Sequence, residues 1–320
     1  MSDYQAVYKI FNLQNEAKIL GPENSFLKAI EERLGLDIIV RQGEVLISTD
    51  KLEYQKEIEN VFTVLERIFE KVLDISLPDL TVILNNLGTS SPETLIKLYL
   101  DKTILFTTNN GRVIYPRTLN QKIYIKSLVD NDITFSVGPA GTGKTFLAVL
   151  FSINRLRANQ AKKIILVRPV VEAGEKLGFL PGDLKDKIDP YLIPLYDGLN
   201  ESLGKEKVDK MIEKGIIEVA PLAYMRGRTL ENAVIILDEA QNATLLQMKM
   251  FLTRLGYNSK MIITGDITQV DLPNKNSSGL IEAISLLEGI KNIAIVRFEK
   301  NDIMRHPLVY KIIERYESKK

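Results

Sequence analysis

Short apolar runs alternate with helical patterns along the C-terminal two thirds of the chain. The runs are each short enough for a buried strand, and they lie at residues 133–137, 164–167, 216–219, 234–237, 261–263 and 293–296. Continuous apolar strands separated by helices are typical of a mainly parallel sheet that is covered on both faces. We therefore predict an α/β domain over residues 116–320.

The N-terminal part of the chain follows a different pattern. It combines short strand-like stretches at 7–11, 37–41 and 44–48 with helical patterns at 25–34 and 52–72. Apolar residues recur at helical spacing in the last of these segments, which indicates a helix with one buried face. We predict a small α+β domain over residues 5–75.

Residues 76–115 are expected to join the two domains. Ser91-Pro92-Glu93 favours a helix start, because serine caps well and proline suits the first helical position. Asn110-Gly111 between two short apolar stretches predicts a hairpin turn. The segment is therefore predicted to be a linker with one helix and one hairpin.

Composition removes several classes of function. The 320 residues include no cysteine, which excludes thiol catalysis and disulfides, and one histidine, His306, which makes a Ser-His-Asp triad or a multi-histidine metal site implausible. The apolar runs are too short to cross a bilayer, and the net charge of +1 gives no strong overall field. We expect a soluble, cytoplasmic protein without a membrane partner, in which any nucleic-acid contact comes from local basic patches.

The strongest chemical signal follows the first strand of the predicted sheet. It matches the phosphate-binding pattern GxxxxGK[ST] at every fixed position with Gly138, Pro139, Ala140, Gly141, Thr142, Gly143, Lys144 and Thr145. In such a loop the backbone N–H groups surround a polyphosphate, Lys144 reaches its β- and γ-phosphates, and Thr145 binds Mg²⁺. A plain glycine-rich turn is the alternative, but a chance match would not carry the strand before and the helix after.

Two acids follow the strand at 234–237. Asp238 leaves the carboxyl end of that strand, where its carboxylate could hold the Mg²⁺ that bridges the phosphates. Glu239 comes next and could orient and deprotonate an attacking water, which favours hydrolysis over transfer to another acceptor. The alternative is an ordinary strand followed by an acidic helix cap.

A third polar group follows the strand at 261–263. Thr264-Gly265-Asp266 stands at the strand end, and Gln269 lies three residues further on. An amide at this edge of the sheet can donate to a γ-phosphate and report whether it is present. Taken alone, the tripeptide would be an ordinary turn.

The order of these motifs resembles a known family. GPAGTGKT at 138–145, VRP at 167–169, DEAQ at 238–241 and TGDxxQ at 264–269 are similar to the RecA-like core of superfamily-1 helicases, and most closely to PhoH-type ATPases. Further similar segments are Glu175–Gly182, Ala220–Thr229 and Arg305-His306-Pro307. The resemblance covers about residues 116–317, and it implies a RecA-like P-loop NTPase fold with ATP and Mg²⁺ as cofactors.

The same resemblance assigns roles outside the phosphate loop. Gln121 looks like the glutamine that reads the adenine edge, with a surface glutamine as the alternative. Ile19–Ile47 is similar to an RNA-binding KH-like module, whose GxxG loop would be Gly21-Pro22-Glu23-Asn24. This loop departs from the motif, because Asn24 replaces the second glycine and Glu23 brings a negative charge. A purely structural α+β domain is the alternative.

Four arginines lie in segments that resemble family motifs, namely Arg226, Arg228, Arg254 and Arg305. Each is a candidate to contact nucleic acid or the γ-phosphate. The chain carries one phosphate loop, so one wall of a helicase-type ATP site is missing. We expect a homo-oligomer in which a neighbouring subunit supplies an arginine in trans, with Arg226, Arg228 and Arg254 as candidates.

Together these features predict a Mg²⁺-dependent ATPase coupled to the binding or remodelling of single-stranded RNA with low sequence specificity. Helicase activity would fit the resemblance. The chain carries only one motor lobe, however, so the sequence does not establish strand separation. A P-loop kinase would use the same loop without needing Glu239. A nucleotide-gated RNA-binding module with negligible turnover is the third possibility.

Overall fold

The computed structural model describes residues 4–71, 75–87, 90–100, 104–108, 111–169, 184–273 and 278–304, together with residues 308, 312 and 315. The chain divides into two compact units, Met1–Lys102 with Asn301–Lys320, and Thr103–Lys300. The predicted motif segments at 175–182 and 305–307, including Arg305, lie outside the described residues.

The first unit is built around a three-stranded antiparallel sheet. Its strands β1 (Tyr4–Lys9), β2 (Ile39–Arg41) and β3 (Glu44–Ser48) are arranged in the order β1-β3-β2. Its first three helices are α1 (Glu16–Leu20), α2 (Ser25–Leu34) and α3 (Gln55–Phe69). The buried stripe of α3, which includes Ile58, Phe62 and Leu65, packs with Val45 and Ile47 of β3 into one hydrophobic core.

Two helices of the predicted linker belong to this unit. They are α4 (Leu77–Asn86) and α5 (Pro92–Leu100), and the start of α5 agrees with the serine-proline signal. Leu80, Ile83 and Leu98 are buried in the same core as α3, so this part of the chain packs as a domain element. The sequence already contained a sign of α4, since Ser76 and Asp79 form a capping box at its N-terminus.

The second unit contains a six-stranded parallel sheet. Its strands are β6 (Ile133–Val137), β7 (Lys163–Arg168), β8 (Ile217–Pro221), β9 (Ala233–Leu237), β10 (Lys260–Gly265) and β11 (Ile293–Arg297). They are arranged in the order β11-β6-β10-β9-β7-β8. A short hairpin precedes the sheet, formed by β4 (Phe106–Thr107) and β5 (Val113–Ile114).

Helices cover both faces of this sheet, as the continuous apolar strands predicted. They are α6 (Leu119–Asp130), α7 (Lys144–Arg157), α8 (Leu184–Leu203), α9 (Lys205–Glu213), α10 (Leu245–Leu252) and α11 (Gly279–Leu287). Alternate residues of β7 enter different cores: Ile164 packs with the α7 side, and Ile165 packs with the side of α10 and α11. The predicted α/β class and mainly parallel sheet are confirmed.

The strand order gathers three chain segments at one edge of the sheet. Because β10 lies between β6 and β9, the loops that follow these three strands all leave from neighbouring carboxyl ends. Open α/β sheets bind their ligands at this edge. Among the helices that the structure describes, none is long and apolar enough to cross a membrane.

Candidate functional site

The phosphate-binding loop connects β6 to α7, in the predicted strand-loop-helix context. Gly138, Gly141 and Gly143 have positive φ angles of 144°, 86° and 83°. Gly138 is also tightly packed, since a Cβ added there would lie 2.8 Å from the Cβ of Phe298 and would also meet the Phe298 carbonyl. The loop therefore requires glycine at these positions for its shape, before any ligand is considered.

Lys144 lies inside the curve of the loop. Its Nζ donates to the backbone carbonyls of Gly138 and Pro139, both at 2.7 Å, and the residue is only 8% exposed. An ammonium group held in this position points into the space that the loop surrounds. This arrangement fits a group that exchanges backbone carbonyls for phosphate oxygens when a polyphosphate binds.

Two residues of α6 brace the loop from below. Gln121 is 1% exposed; its Nε2 donates to the Thr142 carbonyl at 3.0 Å, and its Oε1 accepts from the Arg117 amide at 2.7 Å. The Tyr124 hydroxyl donates to the Lys144 carbonyl at 3.4 Å. Burial, with a smaller effect of the Asp238 charge, raises the pKa of Tyr124, so its phenol keeps its proton. Gln121 thus positions the loop, and its role in reading adenine stays a prediction.

A hydroxyl-carboxylate pair lies at the base of the loop. Thr145 Oγ1 donates to Asp238 Oδ1 at 2.6 Å, and Thr264 Oγ1 donates to the same oxygen at 2.6 Å. Asp238 is 7% exposed. Hard oxygen donors, few in number and next to a phosphate loop, suit Mg²⁺, which is bound through one or two carboxylates together with substrate phosphates. The residues present therefore fit the predicted metal.

These groups surround one cavity of about 270 Å³. It is lined by Ala140, Gly141, Gly143, Lys144, Thr145, Phe146, Asp238, Glu239, Gly265, Asp266 and Gln269. Glu239 has a left-handed backbone, with φ 53° and ψ 38°. On the opposite wall, Gln269 Nε2 donates to Asp266 Oδ2 at 2.8 Å. The structure thus brings together the lysine, the two acids and the glutamine that the sequence singled out.

The three arginine candidates within the described chain differ in their contacts. Arg228 forms a bidentate ion pair with Glu218, with N–O distances of 2.5 and 2.8 Å. This pairing lowers the pKa of Glu218 and raises that of Arg228. Arg254 donates from Nε to the Met250 carbonyl at 3.0 Å and from a terminal nitrogen to the Arg228 carbonyl at 2.9 Å. Both therefore stabilise their own chain.

Arg226 is the exception among these three. It is exposed, and none of the hydrogen bonds or ion pairs found among the described residues involves its guanidinium. It follows a 3-10 turn at Leu222–Met225, after the carboxyl end of β8. Since β8 and β9 flank β7, Arg226 leaves the sheet on the same edge as Asp238, two strand spacings or about 10 Å to the side.

Sequence reasoning missed three polar residues that hold the site together. They are Thr264, which bonds Asp238, and Arg168 and Gln241, which both contact Glu239. All three stand within motifs that were singled out, but none had been given a role. Thr264 and Arg168 meet their partners across neighbouring strands, so only the strand order could have revealed these two contacts, whereas Gln241 lies two residues from Glu239 in the same loop.

Three residues of the N-terminal glycine loop have a positive φ, and the KH-like role of this loop stays a prediction. Residues 21–24 connect α1 to α2, and Gly21, Glu23 and Asn24 have φ angles of 74°, 51° and 58°. Asn24 therefore adopts the left-handed conformation expected of the missing glycine. Pro22, Glu23 and Asn24 are exposed, so the charge of Glu23 stands in solvent at the loop.

Comparison with known proteins finds the same family that the order of the motifs resembles. The PhoH-like protein family matches residues 113–317. A PhoH-like protein of Bacillus subtilis (strain 168) is 46% identical over 310 residues, which cover 97% of this chain and 96% of that protein. A PhoH-like protein of Synechocystis sp. is 44% identical over 320 residues, which cover 99% and 96%.

Similarity to solved structures is much lower. The UvsW helicase from bacteriophage T4 is 14% identical, with a TM-score of 0.40 over 62% of this chain and 65% of that chain. This likeness is too low to transfer a function.

Proposed function

The chain belongs to the PhoH-like protein family, and from this premise we propose that it is a Mg²⁺-dependent ATPase whose hydrolysis is coupled to the binding or remodelling of single-stranded RNA. The observation that carries the proposal is the 2.6 Å contact between Thr145 and Asp238, with Glu239 lining the same cavity. A phosphate loop, a metal-binding pair and an acid beside them are the parts that NTP hydrolysis needs.

Each part has a distinct task. The loop amides and Lys144 hold the phosphates, while Thr145 and Asp238 supply oxygen ligands for Mg²⁺. When bound, Mg²⁺ would neutralise charge on the phosphate oxygens. Glu239 accepts a proton from the attacking water, and Gln269 donates to the terminal phosphate. Gln121 is proposed to select adenine in addition to bracing the loop.

Glu239→Gln is the substitution that tests the mechanism. The amide keeps the size of the side chain but cannot accept the proton, so we expect the hydrolysis rate to fall about 10²- to 10³-fold while ATP still binds. Phosphate release would be measured with and without single-stranded RNA. Glu206→Gln, an exposed glutamate on α9 that pairs with Lys210, is the matched control and should behave as wild type.

The outcomes also separate the alternatives. Normal hydrolysis by Glu239→Gln would reject the proposed base. Radiolabel that moves to a second acceptor instead of free phosphate would identify a kinase. ATP and RNA binding without turnover in the wild type would identify a nucleotide-gated binding module. Stimulation of phosphate release by RNA would support the proposed coupling.

We further propose that the active form is a homo-oligomer in which Arg226 of a neighbouring subunit completes the site. Arg228 and Arg254 have partners within their own chain, whereas the guanidinium of Arg226 is exposed at the ligand-binding edge. An arginine finger stabilises transition-state charge and can raise the rate about 10³-fold. A cytoplasmic location fits a protein that uses ATP and RNA.

Subunit mixing tests the trans arginine. Arg226→Ala and Lys144→Ala should each be inactive alone, because one lacks the finger and the other lacks the phosphate lysine. A 1:1 mixture should recover about a quarter of the wild-type rate, since an intact site then forms where the two variants meet in the right order. Light scattering with and without ATP measures the assembly. A fully active monomer, or a mixture that stays inactive, would reject this arrangement.

A further inference from the structure

The two oxygens of the Glu239 carboxylate have different partners. A terminal nitrogen of Arg168 lies 3.4 Å from Oε1, and the Nε2 of Gln241 donates to Oε2 at 2.5 Å. The Arg168 side chain is 20% exposed and that of Glu239 is 39% exposed, so this ion pair is sheltered on the arginine side. The acid is therefore held by one charged and one neutral donor.

The two donors reach the carboxylate from different elements. Arg168 is the last residue of β7, on one side of β9. Gln241 lies in the 3-10 turn after β9 and faces the strand on the other side. Its Oε1 accepts from the Asp266 amide at 3.0 Å, and its Nε2 lies 3.2 Å from the Gln269 carbonyl. The carboxylate is thus linked to β7 and to the turn after β10 at the same time.

The packing around Gln241 leaves little room for another arrangement. The residue is 1% exposed. A Cβ added at Gly265 would lie 2.9 Å from Gln241 Oε1 and 2.6 Å from a methyl carbon of Leu280, so the glycine at the end of β10 admits the amide. A buried amide with several hydrogen bonds holds a fixed orientation, because breaking any of them leaves a polar group without a partner.

We propose that Arg168 and Gln241 are positioning residues that fix Glu239 in its catalytic orientation, an inference that rests on the proposed ATPase function. Gln241 also ties the acid to the turn that carries Gln269, so the base and the sensor of the terminal phosphate move together. A general base must stay within hydrogen-bond reach of its water, and a misplacement of about 1 Å can lower the rate about 100-fold.

Four variants test the two contacts. Arg168→Gln and Gln241→Leu should each lower kcat about 10- to 100-fold, while KM and the affinity for a non-hydrolysable ATP analogue stay within about twofold. Arg168→Lys should recover part of kcat, because lysine keeps the charge but not the planar fork. Gln241→Glu keeps the size but replaces the donor by an acceptor, and it should show the same loss as Gln241→Leu.

The decisive measurement repeats these substitutions in a Glu239→Gln background. If both residues act through the carboxylate, Arg168→Gln should change the remaining rate less than about twofold, because no base is left to orient. Single-turnover experiments can measure the slow hydrolysis that remains in these double variants. A second full loss on top of Glu239→Gln would overturn the proposal, since it would show that Arg168 acts on another group.

The controls separate this inference from the proposed function. Arg112→Gln removes an arginine whose ion pair with Glu201, at 3.3 Å, is largely exposed, and it should leave kcat unchanged. If Glu239→Gln hydrolyses ATP normally, the ATPase mechanism itself fails. If Glu239→Gln is impaired but Arg168→Gln and Gln241→Leu keep the wild-type kcat, only the positioning role fails. A variant that loses kcat together with analogue affinity also counts against it.

Discussion

The chain contains two glycine loops that enter a helix in the same manner but have different surroundings. Residues 21–24 lead into α2, and residues 138–145 lead into α7. Both use residues with positive φ to turn the chain sharply. The first loop exposes Pro22, Glu23 and Asn24, whereas the second encloses Lys144, which is 8% exposed, beside the carboxylate of Asp238.

The difference shows what a turn can and cannot specify. Backbone conformation alone can point amide groups at an anion, and both loops meet that condition in part. Only the second loop stands where three parallel strands end together, so the segment after β9 brings the carboxylates of Asp238 and Glu239 to it. The strand order therefore places the acidic side chains beside the loop, and the loop itself supplies the backbone amide groups.

The largest expected effect is on the packing of the two loops. Gly138→Ala should lower the free energy of unfolding of the second unit by about 4 kcal/mol, because it combines a strained φ with a collision against the Phe298 backbone. Gly21→Ala should lower that of the first unit by about 2 kcal/mol, since its added Cβ lies 2.7 Å from the Phe26 ring and 3.0 Å from the Phe26 backbone nitrogen, which is less close than the backbone contact at Gly138. Urea unfolding followed by circular dichroism measures both.

Gly111→Ala is the matched control for this pair. It has a φ of 76° and open space around its Cβ position, so strain alone should cost about 1 kcal/mol. Equal losses for Gly138→Ala and Gly21→Ala would show that the two loops are packed alike, against the contrast drawn above.

The next effect concerns the enclosed lysine. Lys144→Ala should weaken binding of an ATP analogue by about 3 kcal/mol, or roughly 100-fold, because charge-assisted hydrogen bonds to phosphate are lost. Lys28→Ala, on the exposed surface of α2 after the first loop, should leave the affinity unchanged. Calorimetric titration measures both, and unchanged affinity in Lys144→Ala would remove the functional distinction between the loops.

A smaller effect tests whether the first loop can meet a phosphate backbone. Glu23→Lys should raise the affinity for single-stranded RNA about tenfold, with a steeper salt dependence, because a repelling charge becomes an attracting one. Glu57→Lys changes the charge equally on an exposed position of α3 and serves as the control. An equal gain in both variants would mean that the overall charge, and not the loop, contacts RNA.

The smallest effect concerns the departure from the GxxG motif. Asn24→Ala should lower the free energy of unfolding by about 1 kcal/mol, because alanine disfavours the left-handed backbone at φ 58°. Asn24→Gly should change it by less than about 0.5 kcal/mol, since glycine adopts that conformation freely. A large loss in Asn24→Gly would show that the asparagine side chain has a structural role of its own.

Local signals in the sequence were sufficient for the strands and for the loop. The apolar runs predicted all six strands of the sheet, because a strand buried on both faces has few polar residues. The phosphate loop was recognisable because its glycines, lysine and threonine stand in a fixed order. The two acids followed from their place at a strand end, which is also a local property.

What depends on non-local contacts was not predictable. The segment at 77–86 was assigned to a linker, yet Leu80 and Ile83 are buried in the first core, and only the partner surface decides that. The guanidinium of Arg254 reaches the Arg228 carbonyl, 26 positions away, a contact that the sequence does not state, and the catalytic role of Arg254 stays a prediction. The pairing of Arg168 with Glu239 requires β7 and β9 to be neighbours, which sequence order does not state.

The contacts of Lys144 have a consequence for the release of product in the proposed ATPase. The carbonyl oxygens of Gly138 and Pro139 lie 2.7 Å from its ammonium, so the loop itself offers hydrogen-bond acceptors to the lysine once the product phosphates leave. When ADP leaves, the Lys144 ammonium would then bond these carbonyls in place of the phosphate oxygens. The buried charge would not be left without a partner. A loop that supplies its own replacement acceptors can reset between turnovers without unfolding.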